Sequence, residues 1–122
     1  MRGIVLFAHG ARDPEWARPF EEIRGRIASR RPEVPVALAY LEAMKPTLAE
    51  AVDALVEEGA VAITVFPLFM AQGGHLRHDV PVLLETLRAR HPRVPLCLES
   101  AIGDVPEILE AICGWILSRA AD

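Results

Sequence analysis

Cysteine is scarce in this 122-residue chain, which has only Cys97 and Cys113. Each lies in an apolar segment, one on an expected strand and one on an expected helix. Both read as reduced thiols of the core, not as a disulfide, a zinc site or a redox pair. Basic runs are lacking too. The formal net charge is −4, and without a clustered Lys/Arg footprint generic nucleic-acid binding is excluded. A few basic residues converging on an acidic ligand are still compatible with that charge. No apolar run approaches the ~20 residues of a membrane span. The stretch from Ile4 to Ala8 is too short for a secretory signal core. No membrane partner and a cytoplasmic location are therefore expected. Linkers, low-complexity tracts and strong repeats are also missing, so residues 1–122 read as one domain.

What is present is a strongly apolar, regularly punctuated chain. Hydrophobic residues make up 52% and charged residues 25%, the balance of a globular protein. Short apolar runs at Gly3–Ala8, Val34–Tyr40, Ala60–Leu68 and Val94–Leu98 read as buried strands. Helical spacing lies between them. Trp16, Phe20, Ile23 and Ile27 form one face, with Asp13-Pro14 as its start signal. Leu48, Ala51, Val52, Leu55 and Val56 form a second face, opened by Pro46 and closed by Gly59. Val80, Leu83, Leu84 and Leu87 form a third, on a helix expected from Asp79 to Arg90. Val105, Ile108, Leu109, Ile112 and Ile116 form a fourth, capped by Asp104. The expected fold class is α/β: a four-stranded parallel sheet with helices on both faces.

Strand order 2-1-3-4 is a common solution for such a chain. Ligands of open α/β sheets bind beyond the strand carboxyl ends, where the order reverses. Here that point lies between strands 1 and 3. The loops leaving them are His9-Gly10-Ala11-Arg12-Asp13 and Phe69 to His75, so each brings one histidine to the same crevice. Neighbouring strands lie about 4.8 Å apart, and two imidazoles at that spacing can share one metal at roughly 2.1 Å each. Glu42, just after strand 2, can join them at the rim. Two His and one Glu suit Co²⁺, Fe²⁺, Ni²⁺ or Zn²⁺ and leave coordination positions open. Gly10, Gly73 and Gly74 leave room for a bulky ligand near the backbone.

Blander readings stand beside these. Alone, His9 or His75 reads as an ordinary polar loop residue, and Glu42 as a solvated carboxylate. His78 reads as a surface or capping residue. His91 sits at a helix C-terminus, where the dipole favours a cation. Asp13 and Asp79 are most simply N-caps. Arg12, Lys45 and Arg77 are exposed charge unless the ligand carries carboxylates.

The segment from Ile4 to Pro14, IVLFAHGARDP, resembles the opening motif of the sirohydrochlorin cobalto- and ferrochelatases. Leu41-Glu42 with Pro46-Thr47-Leu48 resembles their second motif. Pro67-Leu68-Phe69-Met70, Gly74-His75 and Asp79-Val80-Pro81 resemble their third. The motifs occur in order and cover nearly the whole chain. The resemblance implies a Rossmann-like chelatase fold of the small, single-domain class II (short) type. It implies insertion of a divalent metal substrate (Co²⁺, Fe²⁺ or Ni²⁺) into a sirohydrochlorin-like tetrapyrrole of cobalamin or sirohaem biosynthesis, with no permanently bound cofactor. It implies that His9 and His75 bind the metal, that Glu42 lies nearby, and that the short form works as a homodimer. The family often has Ser after His-Gly, where this chain has Ala11. Arg12, Lys45 and Arg77 become candidates to neutralise the ring carboxylates.

Two other classes compete. Histidine phosphatases place His-Gly at the end of the first strand, but they resemble Arg-His-Gly there, and this chain has Ala8. The missing arginine removes a major phosphate clamp. A non-catalytic metal or tetrapyrrole carrier would use the same site residues. A receiver-like domain would need an acidic cluster after strand 1, where His9 stands.

Overall fold

The computed structural model describes residues 1–120; residues 121 and 122, the end of the expected single domain, lie outside them. Four strands form one parallel sheet: β1 (Arg2–Ala8), β2 (Val36–Tyr40), β3 (Ala62–Pro67) and β4 (Leu96–Leu98). Their order is β2-β1-β3-β4, as the alternation predicts. β1 is central and pairs on both sides, Ile4 standing opposite Val36 and Thr64. That position explains its unbroken apolar sequence, since both faces of a central parallel strand are covered.

The helices divide between the two faces. On one, α2 (Leu48–Glu57) and α3 (Gly74–Arg90) pack over the sheet. Val5, Phe7, Ile63 and Val65 of the strands meet Val52, Leu55, Val80, Leu84 and Leu87 there. The other face carries α1 (Arg18–Arg30). Leu6, Ala8, Leu38 and Tyr40 lie beneath it with Trp16, Phe20 and Ile27.

Local signals account for the ends of these elements. Thr47 caps α2 in a reciprocal capping box with Glu50, a Thr-x-x-Glu pattern plain in the sequence. Gly59, at φ +101°, closes α2. Its N–H donates to the Val56 carbonyl and that of Ala60 to the Leu55 carbonyl, both at 3.0 Å, completing a left-handed cap. Asp13 accepts a hydrogen bond from the Glu15 N–H at 3.0 Å. It caps a 3-10 turn over Pro14–Ala17 that precedes α1, so the expected first helix is two pieces.

Three expectations are corrected. First, α3 starts at Gly74, with Gly73 as its N-cap, and Asp79 caps nothing. The core face continues one turn further back through half-buried Leu76, which packs on the core. Pro81 lies inside the helix and makes a later start look natural, because proline favours the first turn.

Second, Asp104 does not cap the last helix. It ends a 3-10 turn over Ile102–Asp104, and extended Val105 separates that turn from α4 (Pro106–Ala120). The face of Leu109, Ile112 and Ile116 does not join the core, and no residue of α4 is buried.

Third, Cys97 and Cys113 are free but exposed. Cys97 points to the thinly covered side of edge strand β4, and Cys113 rides on α4, so neither reaches a core.

Candidate metal and tetrapyrrole cleft

The site is built at the carboxyl ends of β1, β2 and β3. Backbone ladders run past the strands here. The Leu41 N–H donates to the Ala8 carbonyl at 2.9 Å, and the Glu42 N–H to the His9 carbonyl at 3.0 Å. The first two loops are thus zipped together residue by residue. Gly10 makes this possible. Its φ is +95°, and a Cβ there would overlap the Glu42 carbonyl. The chain then turns at Ala43, whose φ of 64° is left-handed, with the Met44 N–H donating to the Glu42 carbonyl at 2.8 Å. Left-handed backbone at a non-glycine residue is uncommon and concentrates at functional sites.

The zipped loops set His9 against Glu42, Nε2 to Oε1 at 2.7 Å. The His9 ring stands edge-on to Phe69, with centroids 6.4 Å apart. Phe69 is itself buried edge-on against Phe7, at 5.5 Å. This aromatic pair supports one side of the imidazole while half of the His9 side chain stays open to solvent.

His75 comes from the first turn of α3, not from a loop. Its side chain is 98% exposed, with Nε2 at 3.8 Å from Oδ2 of Asp79 one turn on. An open cleft of about 360 Å³ is lined by His9, Leu41, Glu42, Ala71, Gly73, His75, Leu76 and Asp79. His9, Glu42 and His75 therefore share one cleft. They do not form a ready cage: among the described residues, no group of three or more His, Cys, Asp or Glu is arranged to hold a metal ion.

The other expected residues are placed as follows. Gly73 and Gly74 have open space where a side chain would go. Arg12 is exposed on the loop after β1. Lys45 lies 3.8 Å from Glu50 and lines a separate groove with Tyr40 and Glu21. Arg77 lines another, with Gln72, Glu99 and Asp104. His78 is exposed on α3. His91 pairs with Asp53 at 2.7 Å, tying α3 to α2. Sequence reasoning missed Asp79 as a cleft residue. Its i,i+4 spacing from His75 carries the signal once both are placed on one helix.

The parallel sheet of order β2-β1-β3-β4 with helices on both faces is a Rossmann-like chelatase fold. The CbiX family model matches residues 3–116, and the chain belongs to that family. The sirohydrochlorin cobaltochelatase of Methanosarcina barkeri is 31% identical over 108 residues, 83% of each chain. That of Saccharolobus solfataricus is 39% identical over 87 residues, 69% of this chain and 64% of the relative. Among solved structures, a cobalamin (vitamin B12) biosynthesis CbiX protein from Marinobacter aquaeolei VT8 superposes with TM-score 0.85 at 34% identity. The match covers 98% of this chain and 97% of that one. The sirohydrochlorin chelatase SirB of Bacillus subtilis subspecies spizizenii, in complex with cobalt, gives TM-score 0.74 at 25% identity. There 98% of this chain matches 51% of SirB, so this chain spans about half of it.

Proposed function

We propose that this chain inserts a divalent metal ion, Co²⁺, Fe²⁺ or Ni²⁺, into a sirohydrochlorin-like tetrapyrrole. The observation that carries the reading is the His9–Glu42 pair facing the same open cleft as His75, in a chain of the CbiX family.

Insertion needs the metal to shed water, two pyrrole protons to leave, and the ring nitrogens to be presented. Glu42 accepts the Nε2 proton of His9, which leaves Nδ1 with a free lone pair. A carboxylate behind a ligating imidazole fixes its tautomer and raises its basicity. His9 and His75 replace metal-bound waters, and the absence of a full cage keeps the ion loosely held. Glu42 or the His75–Asp79 pair then takes the pyrrole protons. Gly10, Gly73 and Gly74 leave room for the macrocycle. Arg12 on the loop after β1 is the basic partner for the ring carboxylates, joined by the N-terminus of α3, which has no acidic residue in its first turn and so favours anions; Lys45 and Arg77 line neighbouring grooves and reach only carboxylates that extend beyond the cleft. The product serves cobalamin- or sirohaem-type biosynthesis in the cytoplasm. Among the described residues no helix is long and apolar enough to cross a membrane.

One domain over residues 1–122 offers one wall to a flat ring. A second copy supplies the other across a two-fold axis, so the working form is a homodimer. The test is anaerobic incubation with sirohydrochlorin and each metal in turn, followed by absorbance. Catalytic turnover is expected with at least one metal; stoichiometric binding without turnover would make the protein a carrier.

A further inference from the structure

The two cleft histidines are held very differently. His9 is fixed by the Glu42 carboxylate and the edge of Phe69. His75 stands out in solvent, 98% exposed, with its Nε2 3.8 Å from Asp79. An ion bonded to both imidazoles at about 2.1 Å needs their nitrogens within roughly 4 Å of each other. Among the described residues no three such ligands converge. One ligand is in place, and the other has to be brought to it.

The segment that carries His75, residues 71–80, is built to move. Its helical part begins at Gly73 with no side-chain cap, and a side chain at Gly73 or Gly74 would meet nothing. Only Leu76 and Val80 of this part of α3 pack on the core. Pro81 then interrupts the helix from within. It has no N–H to give to the Arg77 carbonyl four residues back, and its ring disfavours helical backbone at Val80. Beside this weak point a groove of about 180 Å³ opens. Arg77, Val80 and Pro81 line it on the α3 side, and the chain from Leu98 to Ala101 lines it on the other. The segment therefore has room to tilt.

Both ends of the segment are anchored. Before it, the Gly103 N–H donates to the Phe69 carbonyl at 3.1 Å, and the turn at Gly103 sits so close to Met70 that a Cβ there would overlap its carbonyl. After it, Leu84 and Leu87 are buried. Arg88 donates from Nε and Nη2 to the Leu96 carbonyl at 3.0 and 2.8 Å, and His91 pairs with Asp53. Motion is thus confined between Met70 and Pro81, the stretch that holds His75.

We infer that Pro81 is a positioning residue, a hinge on which residues 71–80 swing His75 toward the ion held at His9. Asp79 lies on the same segment and travels with His75, so that pair is carried intact. Opening reverses the movement and clears the cleft for a bulky product. Closure, which rests on the metal-insertion reading, explains how a site with no ready cage gathers its second ligand. A hinge of this kind absorbs a backbone change at a few residues away from the chemistry.

The test is hydrogen exchange of the full chain, read by mass spectrometry with and without Co²⁺ and with no tetrapyrrole present. In wild type the amides of residues 77–80 are expected to exchange faster than those of residues 84–87. Co²⁺ is expected to slow them by at least about tenfold, and His75→Ala should abolish that slowing. Pro81→Ala restores a donor to the Arg77 carbonyl, which outweighs the freedom it adds to the unfolded chain. That variant should melt no lower than wild type and slow the same amides without metal. Its insertion rate should fall about tenfold, with kcat and KM changing together. A proline that served only the fold would give the reverse, a lower melting temperature with the rate untouched, and that result would overturn the hinge. Wild-type amides that ignore Co²⁺, or a Co²⁺ effect that survives His75→Ala, would overturn it without any change at Pro81. So would Pro81→Ala with unchanged exchange, or with slowed exchange and a wild-type insertion rate. Slowing by Co²⁺ in a protein that inserts no metal would keep the hinge and overturn the insertion reading.

Discussion

His9 and Glu42 are thirty-three residues apart in sequence, yet Nε2 of one lies 2.7 Å from Oε1 of the other. The β1–β2 pairing carries on beyond the strands as two backbone hydrogen bonds, and these bring the side chains together. The pair is therefore a product of sheet register. A one-residue slip would send Glu42 to the opposite face.

If Glu42 orients His9 for the metal, Glu42→Gln should lower insertion by about 10–100-fold, the usual scale for loss of an outer carboxylate. The melting temperature should hardly move, because both side chains are largely exposed and exposed ion pairs contribute little. Turnover equal to wild type at saturating metal and tetrapyrrole would remove Glu42 from the mechanism.

His9→Ala and His75→Ala should each abolish most insertion while leaving the fold intact. Both side chains face solvent in the cleft, so neither substitution opens a core cavity. His75→Ala should be the milder change in stability, since its one close partner is Asp79 at 3.8 Å. Insertion rates beside thermal melts check this. Near-normal rates in either variant would exclude that residue as a metal ligand, and unfolding would mean it is structural.

Thr47 and Glu50 make a testable pH pair. The Thr47 N–H donates to the Glu50 carboxylate at 2.8 Å. That bond, helped by the nearby Lys45 charge, holds the Glu50 carboxyl below its ordinary value. A lowered folded-state pKa means the added stability is present above the ordinary carboxylate range. It is lost as pH falls through the folded value. The melting difference between wild type and Glu50→Gln should therefore be largest near neutral pH and shrink toward zero in acid. Thr47→Ala, which removes the other half of the box, should cost about 0.5–2 kcal/mol. A Glu50→Gln difference that is flat with pH would show that the box adds no charge-dependent stability.

Much of this was legible in the sequence, and the failures have physical causes. The strand runs and the alternation led to the sheet order, because buried parallel strands are apolar throughout. Topology brings the loops that carry His9 and His75 to one crevice and lets Glu42 join at the rim; the direct His9–Glu42 contact comes from backbone pairing beyond the strand ends, which apolar patterning does not show. The start of α3 was misjudged because His75, Arg77 and His78 interrupt the apolar rhythm, leaving Leu76 as its only core contact in the first turn. That error hid the His75–Asp79 relation and turned Asp79 into a cap. The core role given to α4, Cys97 and Cys113 failed for another reason. Periodicity shows that a face is apolar, but it cannot show whether the surface covering it belongs to the same chain.

Gly10 is the residue on which the cleft geometry most depends. It sits at φ +95°, where a side chain is strained whatever the space, and a Cβ would overlap the Glu42 carbonyl. Gly10→Ala therefore meets two costs. The backbone term alone is roughly 1–2 kcal/mol for an L-residue held left-handed. The overlap is with backbone and not with a flexible side chain, so it can be relieved only by moving the loop. The Glu42 carbonyl also accepts from the Met44 N–H, and so the displacement should spread through the Glu42–Met44 turn. The His9–Glu42 hydrogen bond should lengthen or break as a result. The variant should melt several degrees below wild type and lose insertion activity beyond what Glu42→Gln loses. Ring-proton NMR of His9 should show loss of the Glu42 partner, while the β1–β3 amides stay protected. A Gly10→Ala variant with wild-type stability and an unchanged His9 signal would mean that the two loops are not clamped together by their backbones.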